Sequence, residues 1–149
     1  SCNKTITLSF KQNESAMTIC GQYPIKIPGI TNIPGWCINS SFEKTLNSDF
    51  ANKDQTIVKL DKRLASNPMW VRGWQNGDRM QPLGMLGTKK VQDIFVDHKI
   101  PRIRRQSLPV VYSNEGIIWV AGCGMSDWAK VTNRSGSALK LAATELFSK

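Results

Sequence analysis

The chain has 149 residues, of which 40% are hydrophobic and 21% charged, a composition and size that suit a single globular domain. Its 20 Lys and Arg residues outnumber its 11 Asp and Glu residues, so the net charge is +9. An excess of this size indicates a polyanionic partner or a solubilising coat. No apolar run approaches the roughly 20 residues that cross a bilayer, and the polar start predicts no signal peptide; both observations argue against a membrane protein.

The basic residues are concentrated in the second half of the chain. Residues 1–66 contain 8 Lys and Arg against 5 Asp and Glu, and residues 67–149 contain 12 against 6. Six basic residues lie between positions 88 and 105 alone. This concentration favours a binding site over a diffuse coat, and nucleic acid is the polyanion that it suggests.

The four cysteines, Cys2, Cys20, Cys37 and Cys123, are widely spaced and contain no CxxC pair. The single histidine, His98, is far from all of them in sequence, so no metal site is predicted. An even number of cysteines is compatible with two disulfides. We nevertheless expect reduced cysteines and a cytoplasmic protein, because the Asn-x-Ser/Thr triplets that hint at secretion arise by chance in a chain rich in these residues.

The first third of the chain is predicted to be β-rich. Alternating apolar residues predict a strand at 5–10 with a hairpin partner at 16–20. The pairs Pro28-Gly29 and Pro34-Gly35 predict tight turns, residues 36–42 resume an extended pattern, and the polar segment 46–54 predicts a loop. We treat residues 1–55 as the β-rich N-terminal part of the same domain whose core is residues 56–149.

Residues 56–60 and 69–74 are predicted to be short strands. In the second of these, Trp70, Arg72 and Trp74 share one face because side chains alternate along a strand. One interpretation is a stacking platform for bases with an arginine between the rings. The interpretation that we favour is a half-buried sheet face on which the arginine packs against tryptophan.

A turn-rich loop, a helix and a hairpin follow. Residues 75–87 lack periodicity, and loops of this length inside a domain are often functional. One central helix is predicted over about 88–98, with Thr88 as N-cap, an apolar stripe from Val91 to His98, and Pro101 preventing its continuation. Residues 108–113 and 117–121 predict a hairpin, and 137–147 favours a closing strand over a helix. The fold class is therefore α+β and β-rich.

Lys89 and Lys90 occupy the first turn of this predicted helix, where the helix dipole disfavours cations by about 0.3–1 kcal/mol each. A phosphate bound at that end would reverse the effect, because backbone N–H groups and both ammonium groups would converge on it. The alternative is that Lys89 pairs with Asp93 one turn later. We favour the phosphate contact.

Three arginines follow the predicted helix stop: Arg102, Arg104 and Arg105. On a short irregular turn they cannot all point inward, so we expect at least one exposed nucleic-acid contact and one structural arginine paired with Asp97 or Asp78. The Asp78-Arg79 pair has its own structural alternative, an aspartate turn with the arginine packed behind it.

No motif for chemistry accompanies this basic region. The sequence lacks a Walker loop and a Ser-Gly-Gly-x-Asp-Ser loop for pyrophosphate, and it offers no nucleophile with a nearby base. We therefore expect no catalytic residues, no metal and no cofactor in this chain by itself.

Several of these segments strongly resemble the C-terminal domain of tRNA(Ile)-lysidine synthetase. The resemblance is dense over about residues 71–122 and is carried by ordered motifs: Val71-Arg72-Gly73-Trp74, Gly77-Asp78-Arg79, Pro82-Leu83-Gly84, Gly87-Thr88-Lys89-Lys90-Val91, Lys99-Ile100-Pro101-Arg102, and the hairpin Leu108–Tyr112 to Ile118–Gly122. The segment 27–36 and the last 25 or so residues fit more loosely, and residues 1–55 match no sharp motif.

The resemblance implies a β-sandwich-like domain of the kind shared with the phenylalanyl-tRNA synthetase β subunit. It also implies a tRNA-binding module that grips the acceptor-stem side of the tRNA. The parent ligase attaches lysine to the wobble cytidine of the minor isoleucine tRNA, with ATP and Mg bound by an N-terminal catalytic domain that this chain lacks. By position, Lys89, Lys90 and Arg102 match basic residues of the family, Arg72 and Arg79 match family arginines, and one of Arg104 and Arg105 matches another.

We therefore predict a nucleic-acid-binding surface made by Arg72, Arg79, Lys89, Lys90, Lys99, Arg102, Arg104 and Arg105. The expected partners are tRNA and the parent's catalytic domain. The alternative is a structural module whose basic face docks onto the catalytic domain or onto a second subunit in a homodimer.

Overall fold

The computed structural model of the chain describes residues 18–44, 56–131 and 137–146. The predicted strand at 5–10 and the predicted loop at 46–54 lie outside the described residues. The predicted strand at 16–20 is described only from residue 18, and residues 18–20 have no regular secondary structure.

The first sheet has five antiparallel strands. Their order across the sheet is β1 (Gln22–Pro24), β5 (Trp70–Arg72), β8 (Val110–Ser113), β9 (Gly116–Val120) and β10 (Gly124–Met125). Strands β8 and β9 form the predicted hairpin, in which Ser113 pairs with Gly116 across a turn at residues 114 and 115. Gly116 has φ of 129°, a conformation that is unfavourable for residues other than glycine.

The second sheet has four antiparallel strands in the order β2 (Gly29–Ile33), β3 (Trp36–Lys44), β11 (Ser137–Glu145) and β4 (Ile57–Asp61). The closing strand predicted from alternating apolar residues is confirmed, because β11 pairs along its length with β3 and over five residues with β4. The turn predicted at Pro34-Gly35 joins β2 to β3, with Gly35 at φ 83°. Strand β2 was not predicted.

The two sheets share one hydrophobic core. Leu139 and Leu141 of the second sheet and Val110 and Ile118 of the first are fully buried in the same cluster. The indole Nε1 of Trp36, on β3, donates to the Ser107 carbonyl just before β8 at 2.7 Å. The predicted β-rich α+β fold is therefore confirmed.

A ribbon and two short α-helices lie between β5 and β8. A two-stranded ribbon pairs β6 (Arg79–Met80) with β7 (Lys89–Lys90), and it is followed by α1 (Val91–Asp97) and α2 (Arg102–Arg105). Short 3₁₀ helices cover Lys62–Ser66 and Asp127–Ala129. The predicted loop over 75–87 therefore contains a strand, and the three clustered arginines lie in a short helix instead of an irregular turn.

The predicted start of the central helix is wrong. The helix begins at Val91, its N-cap is Lys90 in an extended conformation, and no side chain caps it. Residues 89 and 90 belong to the ribbon, and the N–H of Val91 donates to the Asp78 carbonyl at 2.9 Å. Residues 89 and 90 therefore pair with residues 79 and 80 instead of forming the first turn of the helix. The predicted apolar stripe is buried as far as Phe95, whereas His98 is exposed.

The prediction of reduced cysteines is wrong for Cys20. Cys20 is disulfide-bonded, whereas Cys37 and Cys123 are free thiols. Spacing along the chain does not determine which cysteines approach each other in three dimensions. Burial raises the pKa of the Cys123 thiol to about 11, because a buried site disfavours the thiolate.

Candidate nucleic-acid interface

The eight basic residues predicted to bind nucleic acid divide into two groups by their burial. Four are partly buried and are bound to other groups of the protein: Arg72, Lys89, Arg104 and Arg105. The other four are exposed and have no acidic partner among the residues that the structure describes: Arg79, Lys90, Lys99 and Arg102.

Arg72 forms a two-pronged ion pair with Asp78, with nitrogen–oxygen distances of 2.9 and 3.1 Å. Its guanidinium carbon lies 4.9 Å from the centroid of the Tyr112 ring, and its side chain is only 15% exposed. Asp78 also accepts from the backbone N–H of Gln75 at 2.9 Å. The aspartate turn considered as an alternative is therefore present, but the arginine that pairs with it is Arg72 instead of its neighbour Arg79.

Arg104 and Arg105 attach α2 to the rest of the fold. Arg104 makes a two-pronged pair with Glu145 at the end of β11, at 2.7 and 3.0 Å. Arg105 donates to the Ile100 carbonyl at 3.1 Å and lies over the Phe95 ring at 5.8 Å. One arginine was expected to pair with Asp97 or Asp78. The observed partner is instead a glutamate 41 residues away, which no local pattern in the sequence reveals.

Lys89 and Lys90, which the sequence presents as a pair, have different environments. The ammonium of Lys89 forms an ion pair with Asp97 at the far end of α1. The pairing with Asp93 considered as an alternative is not observed. Lys90 points from the ribbon into solvent and stands directly opposite Arg79 in the register of β6 and β7.

The Arg79–Lys90 pair is the most unusual electrostatic feature of this surface. Directly opposed residues in an antiparallel ribbon have Cβ atoms about 4.5–5.5 Å apart, and like charges there are destabilising. Arg79 is oriented by bonds from its guanidinium to Thr88, at 3.1 Å to Oγ1 and 3.4 Å to the carbonyl. Neither cation forms an ion pair with a carboxylate of the described residues, so the ribbon presents two positive charges at facing positions.

Lys99 and Arg102 continue the exposed positive charge beyond α1. Lys99 has φ of 57°, a left-handed conformation that costs a residue with a side chain about 1–2 kcal/mol. Its N–H donates to the Val96 carbonyl at 3.0 Å, so the conformation ends the helix. Arg102 is the first residue of α2 and is exposed. Lys90 is the N-cap of α1 and Lys99 follows its C-cap, so their nine residue steps at about 1.5 Å each separate them along the helix axis by about 13 Å.

The loop between β6 and β7 displays apolar side chains that the sequence analysis did not single out. Leu83, Met85 and Leu86 are 55%, 40% and 100% exposed. The loop is held in place, since the N–H of Gly84 donates to the Asp127 carboxylate at 3.0 Å. This bond is the main cause of the lowered pKa of Asp127. The Gly84 amide is therefore already hydrogen-bonded within the protein.

A groove of about 500 Å³ runs beside this loop and is lined mainly by apolar side chains, including Met80, Leu83, Met85, Trp119 and Met125. Among the described residues, no group of three His, Cys, Asp or Glu side chains could hold a metal ion. In the same part of the chain no helix has the length and apolar character needed to cross a membrane.

The sequence of the chain is similar to a known family of domains. Residues 69–141 match the family model described as the TilS substrate C-terminal domain. The chain is 49% identical over 73 residues to a tRNA(Ile)-lysidine synthase of Geobacter sulfurreducens and 35% identical over 122 residues to one of Caldanaerobacter subterraneus. These matches cover 49% and 81% of the chain.

A crystal structure of a TilS C-terminal domain matches with a TM-score of 0.72 and 28% sequence identity, covering 86% of this chain and 98% of the solved one. The two curated relatives are much longer than the chain, which covers 16% and 26% of their lengths. The similarity therefore concerns one domain of these proteins.

Proposed function

The chain belongs to the family of tRNA(Ile)-lysidine synthase C-terminal domains, and from this premise we propose that it binds tRNA through the exposed cations Arg79, Lys90, Lys99 and Arg102. Their target is the phosphate backbone of the RNA. Arg72, Lys89, Arg104 and Arg105 serve the fold, and they contribute to binding by holding the surface in shape.

The observation that carries this proposal is the opposition of Arg79 and Lys90 across the ribbon. A domain selected only for stability would place opposite charges at directly facing positions, since such pairs contribute roughly 0.2–1 kcal/mol and like charges cost stability. A phosphate between the two cations converts their repulsion into two charge-assisted contacts. The strained conformation of Lys99, where glycine is the usual residue, supports the same interpretation.

Salt dependence of tRNA binding tests the proposal. Each phosphate contact contributes about −0.7 to −0.9 to the slope of log K against log salt, so four contacts predict a slope of about −3 to −4. Changing Lys90 or Arg102 to alanine should reduce the magnitude of the slope by about one each. The matched control is Lys62→Ala, an exposed lysine in the 3₁₀ helix after β4, which should leave the slope unchanged.

The outcomes of this experiment separate the two groups of cations. Equal slopes for wild type, Lys90→Ala and Arg102→Ala would refute the assignment of phosphate contacts to the exposed group. Absence of tRNA binding at low salt would refute the function itself. Arg105→Ala should lower the melting temperature and change the salt slope little, because the guanidinium of Arg105 is bound to the Ile100 carbonyl and packs on the Phe95 ring.

The second candidate function is docking onto the rest of a longer protein or onto a second subunit. It is favoured by the exposed Leu83, Met85 and Leu86 beside the apolar groove, because rigidly displayed apolar patches mark interaction sites. We propose the remainder of the longer protein as the occupant, since the relatives extend well beyond this domain. Changing Leu83 and Leu86 to serine should weaken that association and leave the salt slope of tRNA binding intact.

The reaction of the longer protein is part of the proposal, and it is inferred from the resemblance of this chain to the family. A catalytic domain outside this chain would use ATP with Mg to attach lysine to the wobble cytidine of the minor isoleucine tRNA in the cytoplasm. The domain described here would hold the acceptor-stem side of that tRNA. The purified 149-residue chain should therefore not incorporate lysine into tRNA, and ATP-dependent incorporation by it would contradict this division of labour.

A further inference from the structure

Another cleft lies where β1, the end of β5 and the end of α2 meet, and it shares no lining residue with the apolar groove. It has a volume of about 350 Å³, and its polar lining comes from Gln22, Arg72, Trp74, Gln75 and Gln106. The volume is at the lower end of the range for small-molecule sites. The three glutamines supply amide groups, each of which both donates and accepts hydrogen bonds.

The walls of the cleft are held together by backbone contacts. The N–H of Ile19 donates to the Gln106 carbonyl at 3.1 Å. At Gly73 a Cβ atom would lie only 2.8 Å from the Ile19 carbonyl oxygen and 3.4 Å from that of Gln106, so only glycine allows the three segments to meet. The guanidinium of Arg72, already bound to Asp78, also donates to the Gly73 carbonyl at 3.0 Å. The cleft is thus built before any ligand arrives.

Trp74, one of the residues that line the cleft, carries a buried polar atom without a hydrogen-bond partner among the described residues. The indole Nε1 of Trp74 is buried and makes no hydrogen bond within the described part of the chain. A buried donor without an acceptor costs about 1–3 kcal/mol, and native proteins contain few of them. The neighbouring side chains of Gln75 and Gln106 are exposed, and by turning outward they would open the indole to an acceptor on a ligand.

An exposed cation lies four residues before Gln106, which lines the cleft. Gln106 is the C-cap residue of α2, and Arg102 is the first residue of that helix. Residues four apart on a helix share a face, so the exposed guanidinium of Arg102 is on the side of α2 that carries Gln106. Amide groups, an indole and an adjacent arginine are the groups with which proteins read unpaired bases and hold their phosphates.

We propose that this cleft binds one unpaired nucleotide of the RNA, with the base against Trp74 and the glutamine amides and the phosphate on Arg102. This inference rests on the proposed tRNA binding and adds a site to it. A polypeptide is a poorer fit, because the three glutamine amides among the lining residues suit the hydrogen-bonding edge of a base better than an apolar anchoring side chain. The cleft would then contact a position of the tRNA that is not in a duplex.

The probes are the four nucleoside 5′-monophosphates, added separately to the ¹⁵N-labelled 149-residue chain. The readout is the indole N–H resonance of Trp74, identified by its loss in Trp74→Phe. At least one nucleotide should shift this resonance downfield, as a free N–H gains an acceptor. Gln106→Ala should weaken that nucleotide's binding about tenfold, the size of one good base contact. The matched control Gln92→Ala changes an exposed glutamine of α1 and should have no effect.

Binding of whole tRNA separates failure of this site from failure of the proposed function. Gln106→Ala should lower tRNA affinity several-fold while leaving the salt slope unchanged, since a neutral amide releases no counterions. If wild type binds tRNA with the expected slope but no nucleotide moves the Trp74 resonance, or if Gln106→Ala behaves like Gln92→Ala, the nucleotide site is refuted and the phosphate surface stands. If tRNA does not bind at all, the proposed function fails and this inference fails with it.

Discussion

Replacing Lys90 with glutamate should stabilise the domain and weaken its binding to tRNA. Lys90 faces Arg79 across the ribbon and is the N-cap of α1. The change removes a like-charge pair and creates an opposite-charge pair, which is worth roughly 0.2–1 kcal/mol. It also places a negative charge at the positive end of the helix dipole, worth about 0.3–1 kcal/mol.

Both residues are exposed, so solvent screening limits the sum to about 1 kcal/mol. For a chain of this size that corresponds to a rise in melting temperature of roughly 2–4 °C. Loss of one phosphate contact should lower tRNA affinity about five- to eightfold at 0.1 M salt, and repulsion from the new carboxylate should lower it further. Stability and binding are thus expected to move in opposite directions.

The assay measures the melting temperature and the tRNA dissociation constant on the same protein preparations. Lys62→Glu is the control for charge reversal at an exposed lysine elsewhere, and it should change neither quantity by a comparable amount. Lys89→Glu at the adjacent position should behave differently from Lys90→Glu. It breaks the ion pair with Asp97 and should lower stability by about 0.5 kcal/mol. A lower melting temperature for Lys90→Glu, or tRNA affinity equal to that of Lys62→Glu, would refute the reasoning.

Three further predictions concern the scaffold of the site. Glu145→Ala should lower the free energy of unfolding by about 1–3 kcal/mol in urea titrations, because it leaves the half-buried Arg104 without its two-pronged partner; an unchanged midpoint would contradict this. Cys123 should react slowly with a maleimide in the folded protein and rapidly after unfolding. The reason is that a thiol with a pKa of about 11 is only roughly 1% ionised at pH 9, and the thiolate is the reactive form. Fast labelling of Cys123 in the folded protein at neutral pH would contradict this prediction. The pKa of Asp127 is lowered chiefly by the hydrogen bond that its carboxylate accepts from the Gly84 N–H. The ionised carboxylate therefore stabilises the fold above the unfolded pKa near 3.8, and this stabilisation is lost as pH falls through the pKa of the folded protein. The stability difference between wild type and Asp127→Asn should shrink with falling pH, and a difference that persists at pH 2 would exclude this account.

Several elements could be predicted because their pattern is local. The β8–β9 hairpin has apolar strands on either side of a short polar turn, and β11 has the period of two that a half-buried strand requires. The buried face of α1 followed from the spacing of Val91, Ile94 and Phe95. In each case the identity of neighbouring residues was sufficient to determine which side of the backbone faces the core.

The errors arose where a distant partner decided the structure. The helix could not start at Thr88, because residues 89 and 90 pair with residues 79 and 80. The pairing of Cys20 likewise depends on which chain segments approach each other.

The sequence by itself determined the family resemblance, the β-rich fold class and the concentration of positive charge, because these are properties of composition and of short ordered motifs. Only the tertiary structure decided which cations are free. Arg104 is paired with Glu145 and Lys89 with Asp97, whereas Arg79 and Lys90 face each other and neither is paired with a carboxylate in the part of the chain that the structure describes. Charge is carried by each residue alone, but its availability to a ligand depends on the partner that folding places beside it.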